Sequence, residues 1–114
     1  MANDSSAAIE KNIREARKAV EFGNALERLK ANKDFKKVFT EGYFEQEAVR
    51  LVHLKADPAM QSVDSQKSIV SQMDAIGAVR QYLDTGLRIA ALAARQISAD
   101  EETLEEILAE EAQA

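Results

Sequence analysis

The chain has no cysteine and no tryptophan, and only one proline and four glycines in 114 residues. Without cysteine there can be no disulfide, no thiolate metal site and no cysteine nucleophile. A single histidine, His53, excludes a multi-histidine metal cluster. Aromatics are sparse, four Phe and two Tyr. No apolar run approaches the roughly 18–20 residues of a membrane span. The first residues lack the basic-then-apolar layout of a secretory signal. We therefore expect a cytoplasmic protein with no membrane partner. Scarce glycine and proline also leave little turn chemistry. Only 17 residues are Val, Ile or Thr, and no period-two run or hairpin signal occurs, which argues against strands.

What remains is helix-forming material. Ala, Glu, Lys, Arg, Gln and Leu dominate, and these have the strongest helix propensities. The hydrophobic fraction is 46%, but 20 of those residues are alanine; Leu, Ile, Val and Phe total only 27. A chain of this length makes one domain, here with a thin core. The composition predicts an all-α fold, an elongated helical hairpin or small bundle with one long coiled-coil-like helix.

The periodicity places the elements. Residues 1–5 read as a frayed tail. A helix over 6–31 carries Ile9, Ile13, Ala16 and Val20 at steps of four, three and four, a narrow seam. Its stripe then moves to Phe22, Leu26 and Leu29, with Gly23 at the crossing, as in a helix that bends or changes partner. Asn32 and Asp34 can cap a short helix over 34–41, with Phe35, Val38 and Phe39 on one side. Gly42 reads as its left-handed C-cap. A helix over 43–56 follows, with Phe44, Ala48, Leu51, Val52 and Lys55 on one face. It must stop at Asp57-Pro58, where Asp57 can cap a new turn with Pro58 at its first position.

The longest predicted element is 62–97. Ile69, Met73, Ile76, Arg80, Leu83, Leu87, Ala90, Ala94 and Ile97 fall on alternating four- and three-residue steps, with Arg80 the only polar member. A helix of that length exceeds what one small core can cover, so part of it is expected to meet another chain. The candidate interface is Ile69, Met73, Ile76, Arg80, Leu83 and Leu87, with Ile9, Ile13 and Val20 packed against it or against another copy. Arg80 either lays its stem along the core edge or is a buried polar position that fixes register, paired with Asp84 or Glu47. A last helix over 99–112 is expected after Ser98, whose spacing to Glu101 is that of a capping box.

Net charge is −5 and unevenly spread. Residues 98–114 hold seven acids and no base, whereas Lys11 to Lys37 hold nine bases and four acids. Charge runs of this kind form solvated faces, or dock on each other within or between chains. Nucleic acid is a poor fit, because the chain is acidic overall and its bases are not interleaved with stacking aromatics.

Chemistry is hard to find. His53 stands alone between Val52 and Leu54. Glu45 and Glu47 point to different faces of a helix. Glu101 with Glu105 and Glu102 with Glu106 stack at i, i+4, an ordinary pattern on exposed helices, and no Glu-x-x-His completes a di-metal site. There is no glycine-rich phosphate loop. No catalytic, metal or cofactor residue is assigned, and the chain is not expected to be an enzyme.

The segments Asp34-Phe35-Lys36-Lys37, Glu41-Gly42-Tyr43-Phe44, Arg50-Leu51, Asp57-Pro58-Ala59-Met60 and Ala75-Ile76-Gly77-Ala78-Val79-Arg80-Gln81-Tyr82 resemble small acidic helical proteins of tailed bacteriophages. The resemblance covers about half the chain and consists of caps and core residues. It implies a virion-assembly setting, in the host cytoplasm or virion, with a capsid or portal-type protein as the larger partner. It supplies no functional residues.

The first expectation is thus a non-enzymatic assembly protein acting by helix–helix self-association and by binding a larger virion protein. Two others compete: an inhibitor or adaptor that offers its acidic C-terminal helix to a host protein, and a helical oligomer that holds a nucleotide through residues such as Arg80 and Arg88.

Overall fold

The computed structural model describes residues 2–114, with side chains from Ser5 onward. Among these the chain is all-α. Helix α1 spans Ala2–Ala31 and a short α2 spans Lys33–Phe35. A π-helical segment, Lys36–Glu47, leads directly into α3, Ala48–Ala56. A 3₁₀ turn, Pro58–Met60, precedes α4, Val63–Gln113, which is 51 residues long. The chain divides into two compact units. The first comprises Met1–Leu26 with Gly86–Ala114, the second Glu27–Thr85. Both long helices contribute to each.

Three expected boundaries differ. The frayed tail of 1–5 lies outside the described residues only at Met1; from Ala2 the backbone is helical, since nothing before Gly23 breaks the run. The predicted helices 62–97 and 99–112 are one. Ser98 does not cap: its Oγ donates back to the Ala94 carbonyl at 3.5 Å, and Thr103 Oγ1 does the same to Ala99 at 3.1 Å. Such back-bonding lets a hydroxyl sit inside a helix, and no Gly or Pro lies nearby to end it. Asp100, expected in a first turn, is instead mid-helix and accepts from Gln96 Nε2 at 2.8 Å.

The third difference is Gly42. No glycine has positive φ, so Gly42 is not a left-handed cap and the helix does not end there. A Cβ on Gly42 would come within 3.1 Å of the Lys37 carbonyl oxygen five residues back. Closing turns by i→i+5 brings that carbonyl close, and the missing side chain makes room for it.

In the first unit α1 and the second half of α4 run antiparallel. Gly23 lies against Ala90, so closely that a Cβ on Gly23 would overlap the Ala90 methyl. Gly86 is roofed by Leu26 and Phe22, whose carbons would stand 2.6 and 2.8 Å from an added Cβ. Small residues thus set a short interhelical distance. Ile13 and Leu26 are buried in this unit, and Arg17 pairs with Glu101 at 3.4 Å. Its weak points are polar: Asp100 Oδ2 and Glu111 Oε1 are buried without a hydrogen-bond partner among the described residues.

In the second unit the arm Lys33–Met60 folds onto the start of α4. Leu51 and Ile69 are fully buried, Ile76 nearly so, and Tyr43, Phe44, Ala48, Leu54, Met60 and Met73 pack around them. Val52 and Lys55, expected on the inner face of 43–56, are exposed; Leu54 takes that place, three residues on from Leu51. Asn32 Oδ1 caps α2, accepting from the Asp34 and Phe35 amides at 2.9 and 3.0 Å. Asp57 Oδ1 accepts from Ala59 N at 2.9 Å, with Pro58 next in the turn. Two glutamines then close the corner. Gln61 Nε2 and Gln66 Nε2 each donate to the Lys55 carbonyl at 3.0 Å, and Gln66 also reaches the Met60 carbonyl at 2.9 Å. These occupy carbonyls that a helix end leaves orphaned.

Candidate functional site

The residues of the sequence seam divide between the two units and differ in burial. Ile69 and Ile76 are core, Met73 is half-buried beside them, and Leu83 is half-buried one turn after Arg80. Leu87 falls in the first unit and is half-buried. Ile13 is buried and Ile9 and Val20 are half-buried on the other helix of that unit. The seam residues of α1 and those from Ile69 to Ile76 therefore belong to different units. Each half of α4 has a partner in its own chain: the arm for 63–85, α1 for 86–113.

Arg80 is the edge case resolved on the solvent side. Its side chain is 64% exposed and stands 3.7 Å from Asp84, outside hydrogen-bond range. With Lys30, Phe35, Thr40, Phe44, Leu83 and the acids Glu45 and Asp84 it lines a cleft of about 130 Å³ in the second unit. Two bases, two acids and two aromatic rings are among its lining residues, with neither a nucleophile–base pair nor a dominant charge. The cleft holds a side-chain-sized group. Small-molecule sites within one chain run to about 300–1,000 Å³, larger than this cleft.

The cleft owes its wall to the π segment. Phe35 stacks on Phe39 (centroids 5.1 Å, planes 16° apart), Phe39 meets Tyr43 edge-on at 6.0 Å, and Tyr43 and Phe44 lie 5.7 Å apart. Wider turns bring residues four and five apart onto one side. At the junction with α3, Arg50 Nε donates to both Glu47 carboxylate oxygens at 3.0 and 3.1 Å, and Nη2 to one of them. Those hydrogen bonds hold the Glu47 carboxyl below its ordinary value and raise Arg50. The composition-based reading missed this clamp, although the i, i+3 spacing of Glu47 and Arg50 signals it.

His53 is exposed on the outer side of α3. Among the described residues no three of His, Cys, Asp or Glu gather as metal ligands, and no helix is long and apolar enough to cross a membrane. An open groove of about 410 Å³ in the first unit runs along Glu10, Ile13, Arg14, Arg17, Glu101 and Leu104. It is where the basic front and the acidic end of the chain meet. No family model, curated protein or solved structure matches the chain.

What most distinguishes the surface is apolar. Among the described residues five apolar side chains are buried, whereas thirteen large ones are exposed. Several sit as neighbours on one helix face: Val49 with Val52 on α3, Ile89 with Leu92 on α4, both pairs more than half exposed or at half.

Proposed function

We propose that this is a non-enzymatic assembly protein that acts by helix–helix association with itself and with a larger protein, as in the virion assembly of tailed bacteriophages. The supporting observation is the surplus of exposed apolar side chains over buried ones, much of it paired at i, i+3 on helix faces. Isolated exposed apolar residues are ordinary; contiguous ones mark contact surfaces. The resemblance to small phage proteins supplies the setting.

The test is absolute mass in solution, by light scattering after size exclusion at low and high salt. An oligomer that persists in high salt supports association through apolar faces. A monomer in both conditions refutes self-association. Dissociation by salt alone assigns the contact to the basic front and acidic end instead.

A further inference from the structure

We infer that one flank of α4 in the first unit is the self-association surface, and that its partner is the same flank of α4 in a second copy, packed antiparallel about a two-fold axis. This rests on the self-association reading and gives it a place and an orientation.

The stripe of α4 turned toward α1 includes residues 90, 93, 97, 100 and 104, all half-buried. Ile89, Leu92, Gln96, Ala99 and Thr103 each precede one of these by a single residue, so they form a row along one flank of the helix. All five are exposed and none is charged, in a chain of which 31% is charged. Ile89 and Leu92 leave 50% and 54% of their surface open. Steps of three and four residues are those of a helix-packing seam. Glu101, which follows position 100, lies on the opposite flank, where Arg17 pairs with it beside the groove. That flank is the one α1 already dresses with charge; the row from Ile89 to Thr103 faces away from it.

Charge identifies what covers the row. Residues 86–114 hold two bases, Arg88 and Arg95, and seven acids, all at or beyond Asp100. Arg88, Arg95 and Glu102 each stand one residue before a member of the row and so border its outer edge, and Glu106 ends it. This stretch of α4 is therefore basic at one end and acidic at the other, complementary to its own reverse. Laid antiparallel with Gln96 of each copy across from Ala99 of the other, Leu92 meets Thr103 and Arg95 meets Glu102. Glu106 carries its carboxylate past Ile89 to Arg88. The two-fold axis makes each contact twice, so a single face closes an isologous dimer. Parallel pairing would instead set Arg88 on Arg88 and each of Glu102 and Glu106 on its own copy. The contact from Arg88 to Glu106 runs about 27 Å at 1.5 Å per residue. The other exposed apolar pair, Val49 and Val52, lies on a nine-residue helix, and the Glu47–Arg50 pair beside it is already closed within the chain.

The experiment uses the full chain and sedimentation equilibrium. Wild type is expected at twice its 12.6 kDa mass, and Leu92→Asp at the monomer mass with unchanged helix content by circular dichroism. Arg95→Glu alone and Glu102→Arg alone each set like charges together twice per dimer, and each is expected to raise the dissociation constant about tenfold. Mixing the two variants gives every reversed residue its complement, and a heterodimer of wild-type affinity is expected. Both positions are exposed and lie about 10 Å apart along the helix, so the rescue reads a contact between copies and folding is not at stake. Ala99→Cys, near the axis, is expected to cross-link to its own copy under oxidation, in a chain with no cysteine of its own. Thr103→Cys would hold its two thiols roughly 16 Å apart and stay reduced. A dimer that survives Leu92→Asp, a mixture no tighter than either variant alone, or cross-linking through Thr103→Cys but not Ala99→Cys overturns this surface while leaving self-association standing. A monomeric wild type overturns both.

Discussion

Replacing Gly23 by alanine is the sharpest probe of the first unit. In an exposed helix the change should stabilise, because Ala exceeds Gly by about 1 kcal/mol in helix propensity. Here the new methyl would overlap the Ala90 Cβ. Both carbons are fixed to their backbones and cannot rotate away, so the helices must part, and Ile13 and Leu26 lose packing with them. Overpacking of this kind costs about 1–3 kcal/mol, enough to cancel the propensity gain of about 1 kcal/mol and leave a net loss of up to about 2 kcal/mol. Gly77→Ala is the control: nothing lies within 4 Å of its added Cβ, so it should gain most of the roughly 1 kcal/mol. The same substitution at two helical glycines is thus expected to differ in its effect on stability by the overpacking cost, about 1–3 kcal/mol. Thermal and urea unfolding followed by circular dichroism measures it, at roughly 4 °C per kcal/mol for a chain of this size. Ala90→Gly should weaken wild type by about 1 kcal/mol yet improve Gly23→Ala, a favourable coupling in a double-mutant cycle. A Gly23→Ala protein as stable as Gly77→Ala, or a cycle without coupling, would refute the close approach of α1 and α4.

In the second unit, Leu51→Ala empties the centre of a core with few other fully buried side chains and should cost about 2–5 kcal/mol; urea unfolding reads it. Gln66→Ala should cost about 1 kcal/mol by the same measurement, since it strips the Met60 carbonyl of its amide while Gln61 still serves Lys55. The Glu47 carboxyl is held below its ordinary value of 4.5 by Arg50. A depressed folded value means stabilisation that is full above the unfolded value and lost as pH falls through the folded one. Glu47→Gln should therefore lower the melting temperature at neutral pH and match wild type once pH drops below the folded value. A constant offset across the acid range would contradict the clamp.

The features legible in the sequence are those fixed by one residue and its chain neighbours. Asn32 and Asp57 are short acceptors followed by free amides, and Pro58 forbids helix in the residue before it. Ile13, Leu51, Ile69 and Ile76 are buried as their periods suggest. Helix identity over α1 and α4 follows from propensity alone. Ser98 misleads because a serine three residues before a glutamate caps a helix only if something ends the preceding one, and neither Gly nor Pro does so here. Partnership was less legible still. Spacing shows which residues share a face, and of the seam Ile69 and Ile76 are buried; it is silent on whether the covering helix comes from the same chain. In the sequence the arm that covers Ile69 and Ile76 reads as two helices parted at Gly42, which hides its continuity.

Gly42 shows why that division fails. A glycine after Phe39 and before Tyr43 fits a left-handed cap and a π turn equally well by local preference, because both need a position without a Cβ, one for the sake of φ and the other for the carbonyl five residues back. Local propensity cannot separate them. The choice is made by side chains on either side of the glycine: Phe35 and Phe39 before it, Tyr43 and Phe44 after it, in ring contact through Phe39. A cap at Gly42 would turn the chain and separate those rings; continuing the helix with widened turns keeps them in one column, each contact contributing about 0.5–1.5 kcal/mol. The same continuation delivers Ala48, Leu51 and Leu54 to α4 and leaves Val49 and Val52 on the outside. The exposed apolar surface of α3 is therefore a consequence of where the π segment sets the phase, and a serine in place of Phe39 should release both the column and that phase together.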